Sequence, residues 1–113
     1  MDHVKNLENL KGNTKMLVEN IPDTMAAFSN LTSKVYEGKI LSLKQKELIV
    51  MGIAVAVRCE GCIESHAKNC VSAGVTREEF AEAISLAIMM GGGPSVVYGG
   101  KAMEAFEQFL LNK

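Results

Sequence analysis

Apolar residues recur along this chain at the three- and four-residue intervals of an α-helix. Val4, Leu7, Leu10 and Leu17 mark a first amphipathic segment, from about Val4 to Glu19, with Gly12 and Asn13 as its weak point. Pro22 opens a second, because its ring fixes φ in the helical range and its missing N–H is no loss in a first turn. Met25, Phe28, Leu31 and Val35 give that segment an apolar stripe, and Gly38 can end it. Ser42-Leu43-Lys44-Gln45 has the form of a capping box and launches a third helix, through Glu47 to about Arg58. From Leu48 onward this helix is apolar all round, which predicts a central position.

A fourth helical run goes from Cys59 to Ala73 and ends at Gly74. Thr76-Arg77-Glu78-Glu79 is a second capping box, and Phe80, Ala83, Ile84, Ala87 and Ile88 form the apolar face behind it. Gly91-Gly92-Gly93-Pro94 breaks that helix, and Val96 to Leu111 closes the chain with Met103, Phe106 and Leu110 at helical spacing. No segment sustains the period-two alternation of a half-buried strand. The pattern predicts an all-α fold, a compact bundle of five to six helices forming a single domain over residues 1–113.

Composition narrows the function. With 113 residues, 48% apolar and 22% charged, the chain is a globular domain rather than a disordered one. A net charge of -1 argues against a surface built for nucleic acid or an anionic membrane. No Trp and 5% aromatic residues leave few stacking platforms for single-stranded nucleic acid. The longest apolar run, Leu48 to Val57, is far short of the ~20 residues that span a bilayer. Met1-Asp2-His3-Val4-Lys5 begins no secretory leader, so a cytoplasmic protein is expected. A chain this short buries a limited share of its surface, which favours association with copies of itself.

The chemistry gathers between Glu47 and Gly74. Cys59 and Cys62 form a C-x-x-C pair, which in a cytosolic protein means redox chemistry or metal. On a helix both thiols face one side, and His66 lies one turn beyond Cys62. A helix N-terminus favours thiolate, and a nearby imidazole accepts the thiol proton or stabilises the anion. A second thiol three residues away can then resolve a sulfenic acid or a mixed disulfide. The bland alternative is two small buried cysteines and a satisfied histidine. Cys59, Cys62, His66 and Cys70 also tempt a zinc reading. The helical rise carries Cys70 about 16 Å from Cys59, too far for four ligands to converge on one ion. A site of Cys59, Cys62 and His66 alone stays open, and Cys70 reads as a buried apolar residue. Glu47 reads either as a solvated first-turn carboxylate or as a partner that orients His66.

Glu47, then eleven residues, then Cys59-x-x-Cys62-x-x-x-His66, then Gly74-Val75-Thr76-x-Glu78-Glu79 resembles the carboxymuconolactone decarboxylase superfamily, and within it the alkylhydroperoxidase D-like branch. Leu41-Ser42-x-Lys44-x-Lys46-Glu47-Leu48 and the Gly-Gly-Pro-Ser at 92 to 95 are similar too, and the resemblance covers roughly Pro22 to Phe109. It implies an all-α fold assembled into trimers or hexamers. It also implies a thiol peroxidase or disulfide reductase without cofactor or metal. Glu47 and His66 would activate Cys62, and Cys59 would resolve the product. The substrate would be a hydroperoxide or a protein disulfide, and a cellular dithiol would be the reductant. The chain departs from the peroxidase members at Gly61, where they carry a histidine; dithiol–disulfide exchange does not need it.

Two other functions stand beside this one: the lyase reaction that names the superfamily, on 4-carboxymuconolactone, and a non-catalytic oligomer. The true decarboxylases do not depend on a C-x-x-C pair. The remaining signals are structural. Gly91-Gly92-Gly93 lacks the end of a phosphate loop, and Lys44, Lys46 and Arg58 read as a solvated face. The seven Met read as filler for core and interface. His3 sits in a terminus expected to fray and receives no role.

Overall fold

The computed structural model describes residues 1–113 as six α-helices and no strand. They are α1 (His3–Asn20), α2 (Pro22–Tyr36), α3 (Leu43–Ala56), α4 (Glu60–Ser72), α5 (Arg77–Gly91) and α6 (Gly93–Leu111). Both expected capping boxes form. The Ser42 hydroxyl accepts from the Gln45 N–H while the Gln45 side chain accepts from the Ser42 N–H, and Thr76 and Glu79 repeat the exchange on α5. Gly12 does not interrupt α1, whose first turn is capped by the Asp2 carboxylate.

Helix α6 starts at Gly93, three residues ahead of the sequence estimate. Gly92 alone makes the break, at φ 69° and ψ -148°, a conformation open to glycine, and Pro94 fits the first turn behind it. Helix α4 ends in a Schellman motif. Gly74 takes φ 79°, its N–H bonds the Val71 carbonyl, and the Val75 N–H bonds the Cys70 carbonyl.

The expected central α3 packs against α4, α5 and α6, but it shares the centre with α4 and α6. Helix α4 packs against α1, α3 and α6, and Ile63, Ala67 and Cys70 on it are fully buried. Phe80 of α5 and Phe106 of α6 stack beside it, ring centres 4.5 Å apart. Truncating either ring to alanine would cost about 3–5 kcal/mol. Helix α3 buries only one face, through Glu47, Met51, Ala54 and Val55. Its opposite edge leaves Ile49, Ile53 and Val57 at least half exposed. Periodicity shows how much of a helix is apolar, but not which neighbour covers it.

Helix α2 departs furthest from expectation. It has the predicted stripe but buries no residue, and Phe28, Leu31 and Val35 lie open beside α1. His3 corrects the sequence reading in the other direction. It does not fray but is 1% exposed, its Nδ1 lying 2.6 Å from Glu64 Oε2 and its Nε2 2.7 Å from Glu104 Oε1. Its backbone N–H donates to Gln108 Oε1 at 2.7 Å, so α1 is tied to both α4 and α6.

Candidate functional site

The turn from α3 into α4 sets the position of the C-x-x-C pair. Helix α3 ends in a second Schellman motif: the Arg58 N–H bonds the Val55 carbonyl and the Cys59 N–H bonds the Ala54 carbonyl. Arg58 occupies the left-handed position at φ 59°, the one non-glycine residue of the chain to do so. Cys59, the next residue, is at once the last residue of this motif and the N-cap of α4. Its Sγ accepts from the Cys62 N–H at 3.2 Å, as an N-cap side chain does.

Cys59 and Cys62 are joined as a disulfide with Cα atoms 5.2 Å apart, and Cys70 is left out as a free, buried thiol. Cys62 is exposed and Cys59 half-buried. Gly61 faces α1: a Cβ there would lie 3.0 Å from Leu10 Cδ2, so any side chain at this position requires Leu10 to shift. The Lys101 ammonium of α6 meets Glu60 in the first turn of α4 at 2.6 Å.

Glu47 comes from α3, folded back against α4. Although it lies in the second turn of a helix rich in lysine, it is 2% exposed, which removes the solvated-carboxylate reading. Its Oε2 sits 2.8 Å from His66 Nδ1, and its Oε1 accepts from the Tyr36 hydroxyl at 2.7 Å. Burial pushes this carboxyl up, but hydrogen bonds from His66, Tyr36 and Asn69 outweigh it and hold the group below the ordinary carboxylate range. Burial and the Glu47 carboxylate push the Tyr36 phenol up, so it remains a donor. The Cys70 thiol is pushed up to about 12, by burial first and by the Glu47 charge second. That makes Cys70 inert as a nucleophile near neutral pH.

The four predicted residues stand as two pairs: Cys59–Cys62 at the α3–α4 turn, and Glu47–His66 along the α3–α4 contact, with His66 one helical turn beyond Cys62. Sequence reading missed Tyr36. It lies eleven residues before Glu47, across the α2–α3 loop, in no recognisable spacing. No group of three or more His, Cys, Asp or Glu side chains is arranged to hold a metal ion. No helix is long and apolar enough to cross a membrane.

Comparison with known proteins agrees with the fold. A crystal structure of a carboxymuconolactone decarboxylase family protein from Legionella pneumophila matches with a TM-score of 0.91 at 37% identity, covering 97% of this chain and 99% of that one. An uncharacterized protein of Cupriavidus necator is 34% identical over 86 residues, 76% of each chain. An uncharacterized protein of Methanocaldococcus jannaschii is 34% identical over 92 residues, 80% of this chain and 88% of that one. The model of the carboxymuconolactone decarboxylase family itself matches residues 22–107, and with these relatives it establishes that the chain belongs to that family.

Proposed function

We propose that the chain is a thiol–disulfide oxidoreductase of the alkylhydroperoxidase D-like kind, acting as one catalytic unit over residues 1–113. One observation carries the reading: a buried carboxylate, Glu47, is hydrogen-bonded to a histidine one turn from an exposed cysteine of a C-x-x-C pair. Glu47 holds His66 through Nδ1, and on this reading the oriented imidazole takes the Cys62 thiol proton and leaves the thiolate.

In the proposed cycle Cys62 thiolate attacks a hydroperoxide oxygen. The O–O bond breaks, the alcohol leaves with a proton, and Cys62 becomes a sulfenic acid. Cys59 attacks that sulfur, water leaves, and the disulfide closes. Two electrons have then passed from the dithiol to the peroxide. With a disulfide substrate, Cys62 forms the mixed disulfide and Cys59 displaces the reduced product. In either case a dithiol of the cell reopens the Cys59–Cys62 bond by two successive exchanges. The space beside Gly61, taken by Leu10, supports disulfide exchange over rapid peroxide turnover.

The protein works as a homo-oligomer in the cytoplasm on this reading. The uncovered stripe of α2 and an open hollow of about 600 Å³ between α3 and α5, lined by Ile49, Ile53, Leu86 and Met90 among others, support self-association. Sedimentation as a monomer at micromolar concentration would remove that part. The main test counts free thiols before and after one equivalent of peroxide or of an oxidised dithiol, with mass-spectrometric mapping. Loss of two thiols per chain as a Cys59–Cys62 bond, regained with a dithiol, is expected. Unreactive thiols together with ultraviolet loss of 4-carboxymuconolactone would replace this reading with the lyase.

A further inference from the structure

Glu47 has two oxygens, and only one of them serves His66. The other is taken by a side chain from the helix least attached to the rest of the chain. Helix α2 buries no residue, yet its last residue, Tyr36, reaches the buried carboxylate at 2.7 Å. What fixes that end of α2 is Lys46, the residue just before Glu47. Its ammonium donates to the carbonyls of Gly38 at 2.6 Å and of Val35 and Tyr36 at 3.3 Å each, and lies 5.9 Å from the Tyr36 ring centre. An ammonium has three donors, and here three orphan carbonyls at or just beyond a helix C-terminus take them. Lys46 is thus not the solvated lysine that the sequence suggests.

We propose that Tyr36 is a positioning residue for the Glu47–His66 pair, and that Lys46 holds Tyr36 in place. The inference rests on the redox reading given above. By occupying Oε1, the hydroxyl leaves Oε2 as the oxygen that faces His66. The groups around the carboxyl are few. Tyr36 faces it from α2, and His66, Asn69 and Cys70 face it from α4; Lys44, its neighbour on α3, is paired with Glu79 at 2.9 Å. A hollow of about 350 Å³ reaches Glu47 between Tyr36, Asn69 and Ser72. Water entering there would substitute for the hydroxyl, but water does not fix the orientation of a carboxylate as a packed phenol does.

The test uses the full chain as Tyr36→Phe, Lys46→Met and the double variant, each checked for helix content. Carbon-13 NMR follows the Glu47 carboxyl through an acid titration, and iodoacetamide follows Cys62 in the reduced protein at neutral pH. Tyr36→Phe is expected to move the carboxyl midpoint upward, since the charged form loses a donor, and to slow Cys62 by about three- to tenfold. Lys46→Met should move both readouts in the same direction by less. The double variant should match Tyr36→Phe alone, because Lys46 acts through the tyrosine. An unmoved midpoint, an unchanged or faster Cys62, or a Lys46 effect that adds in full to that of Tyr36 overturns the proposal. The carboxyl titration needs no redox activity. A wild-type protein that forms no reversible Cys59–Cys62 bond, but whose Glu47 midpoint still responds to Tyr36→Phe, therefore loses the redox reading and keeps the positioning one.

Discussion

Replacing Arg58 by glycine should stabilise the protein although it deletes a charged side chain. Arg58 sits at φ 59°, where a Cβ crowds the following carbonyl and costs an L-residue roughly 1–2 kcal/mol. The same position in the motif that ends α4 is filled by Gly74 at φ 79°, the ordinary solution. The Arg58 side chain is exposed and makes no hydrogen bond or ion pair, so little contact energy is lost with it. Two smaller effects oppose the gain. Glycine frees the unfolded chain by about 0.4–1 kcal/mol, and a cation near a helix C-terminus is worth a few tenths of a kcal/mol.

Comparing Arg58→Gly with Arg58→Ala cancels the charge effect and isolates the backbone. The relief of roughly 1.5 kcal/mol less about 0.7 kcal/mol of glycine entropy leaves glycine ahead by about 0.8 kcal/mol. For 113 residues at about 2.1 cal/mol/K per residue, that is a melting temperature about 3 °C higher. Thermal unfolding by circular dichroism at matched protein concentration reads it directly. Should the alanine variant prove as stable as the glycine variant, the left-handed turn carries no strain and the account of the α3–α4 junction is wrong.

Glu47→Gln and His66→Ala should each slow iodoacetamide labelling of Cys62 near neutral pH by about tenfold, the factor carried by one unit of thiol acidity, and the double variant by no more than the worse single. Preferential labelling of Cys59, or a Cys62 indifferent to Glu47→Gln, would dissolve the proposed relay. Because the Glu47 carboxyl is held below its ordinary range, its share of stability is complete above the unfolded carboxyl's range and is lost as pH falls through the folded midpoint. Urea midpoints of Glu47→Gln and wild type should therefore converge in acid; a constant gap between them would refute the assignment. His3→Ala leaves Glu64, 4% exposed, with Asn6 as its remaining hydrogen-bond donor at 3.0 Å, and should cost about 2 kcal/mol with faster hydrogen exchange along α1. Exchange that speeds up elsewhere and not in α1 would mean that His3 does not anchor the helix.

What was legible in the sequence is what is local. The two capping boxes, Pro22, Pro94 and Gly74 each act within a turn of their own position, so they place five of the six helices from neighbouring residues alone. The C-x-x-C-x-x-x-H spacing is likewise a property of one helix. Glu47 needed the fold to bring α3 against α4, and the family resemblance supplied that pairing before the structure did. Nothing supplied Tyr36 or His3. Their partners lie 11 residues away across a loop, and 61 and 101 residues away in other helices. A lone tyrosine or a second-turn carboxylate has no periodic signature that separates a buried hydrogen bond from a solvated face. The apolar edge of α3 shows the same limit. Its sequence predicts burial, and the chain folds so that this edge stays uncovered while α3 shares the centre with α4 and α6.

The two sulfurs of the pair are pulled in different ways, and this decides their roles in the proposed cycle. Cys59 is the N-cap of α4, and its sulfur receives the Cys62 N–H at 3.2 Å, which favours a thiolate there. Cys62 lies in the first turn of the helix, on the His66 side, and is the exposed member. In a disulfide, an incoming thiolate attacks the sulfur it can reach, and the other sulfur leaves as a thiolate, which at Cys59 the Cys62 N–H can receive. The reductant is therefore expected on Cys62, with Cys59 as leaving group. The same exposure makes Cys62 the thiol that a substrate reaches first, which leaves Cys59 to resolve. The helix terminus at Cys59 thus supports it as the resolving partner rather than the nucleophile. In Cys59→Ser the mixed disulfide with a small aryl disulfide should form about tenfold faster than in Cys62→Ser, and should persist until a dithiol is added. Mass spectrometry of the two variants reads both the rate and the site. Faster trapping on Cys59 in Cys62→Ser would exchange the two roles and leave His66 without a thiolate to serve.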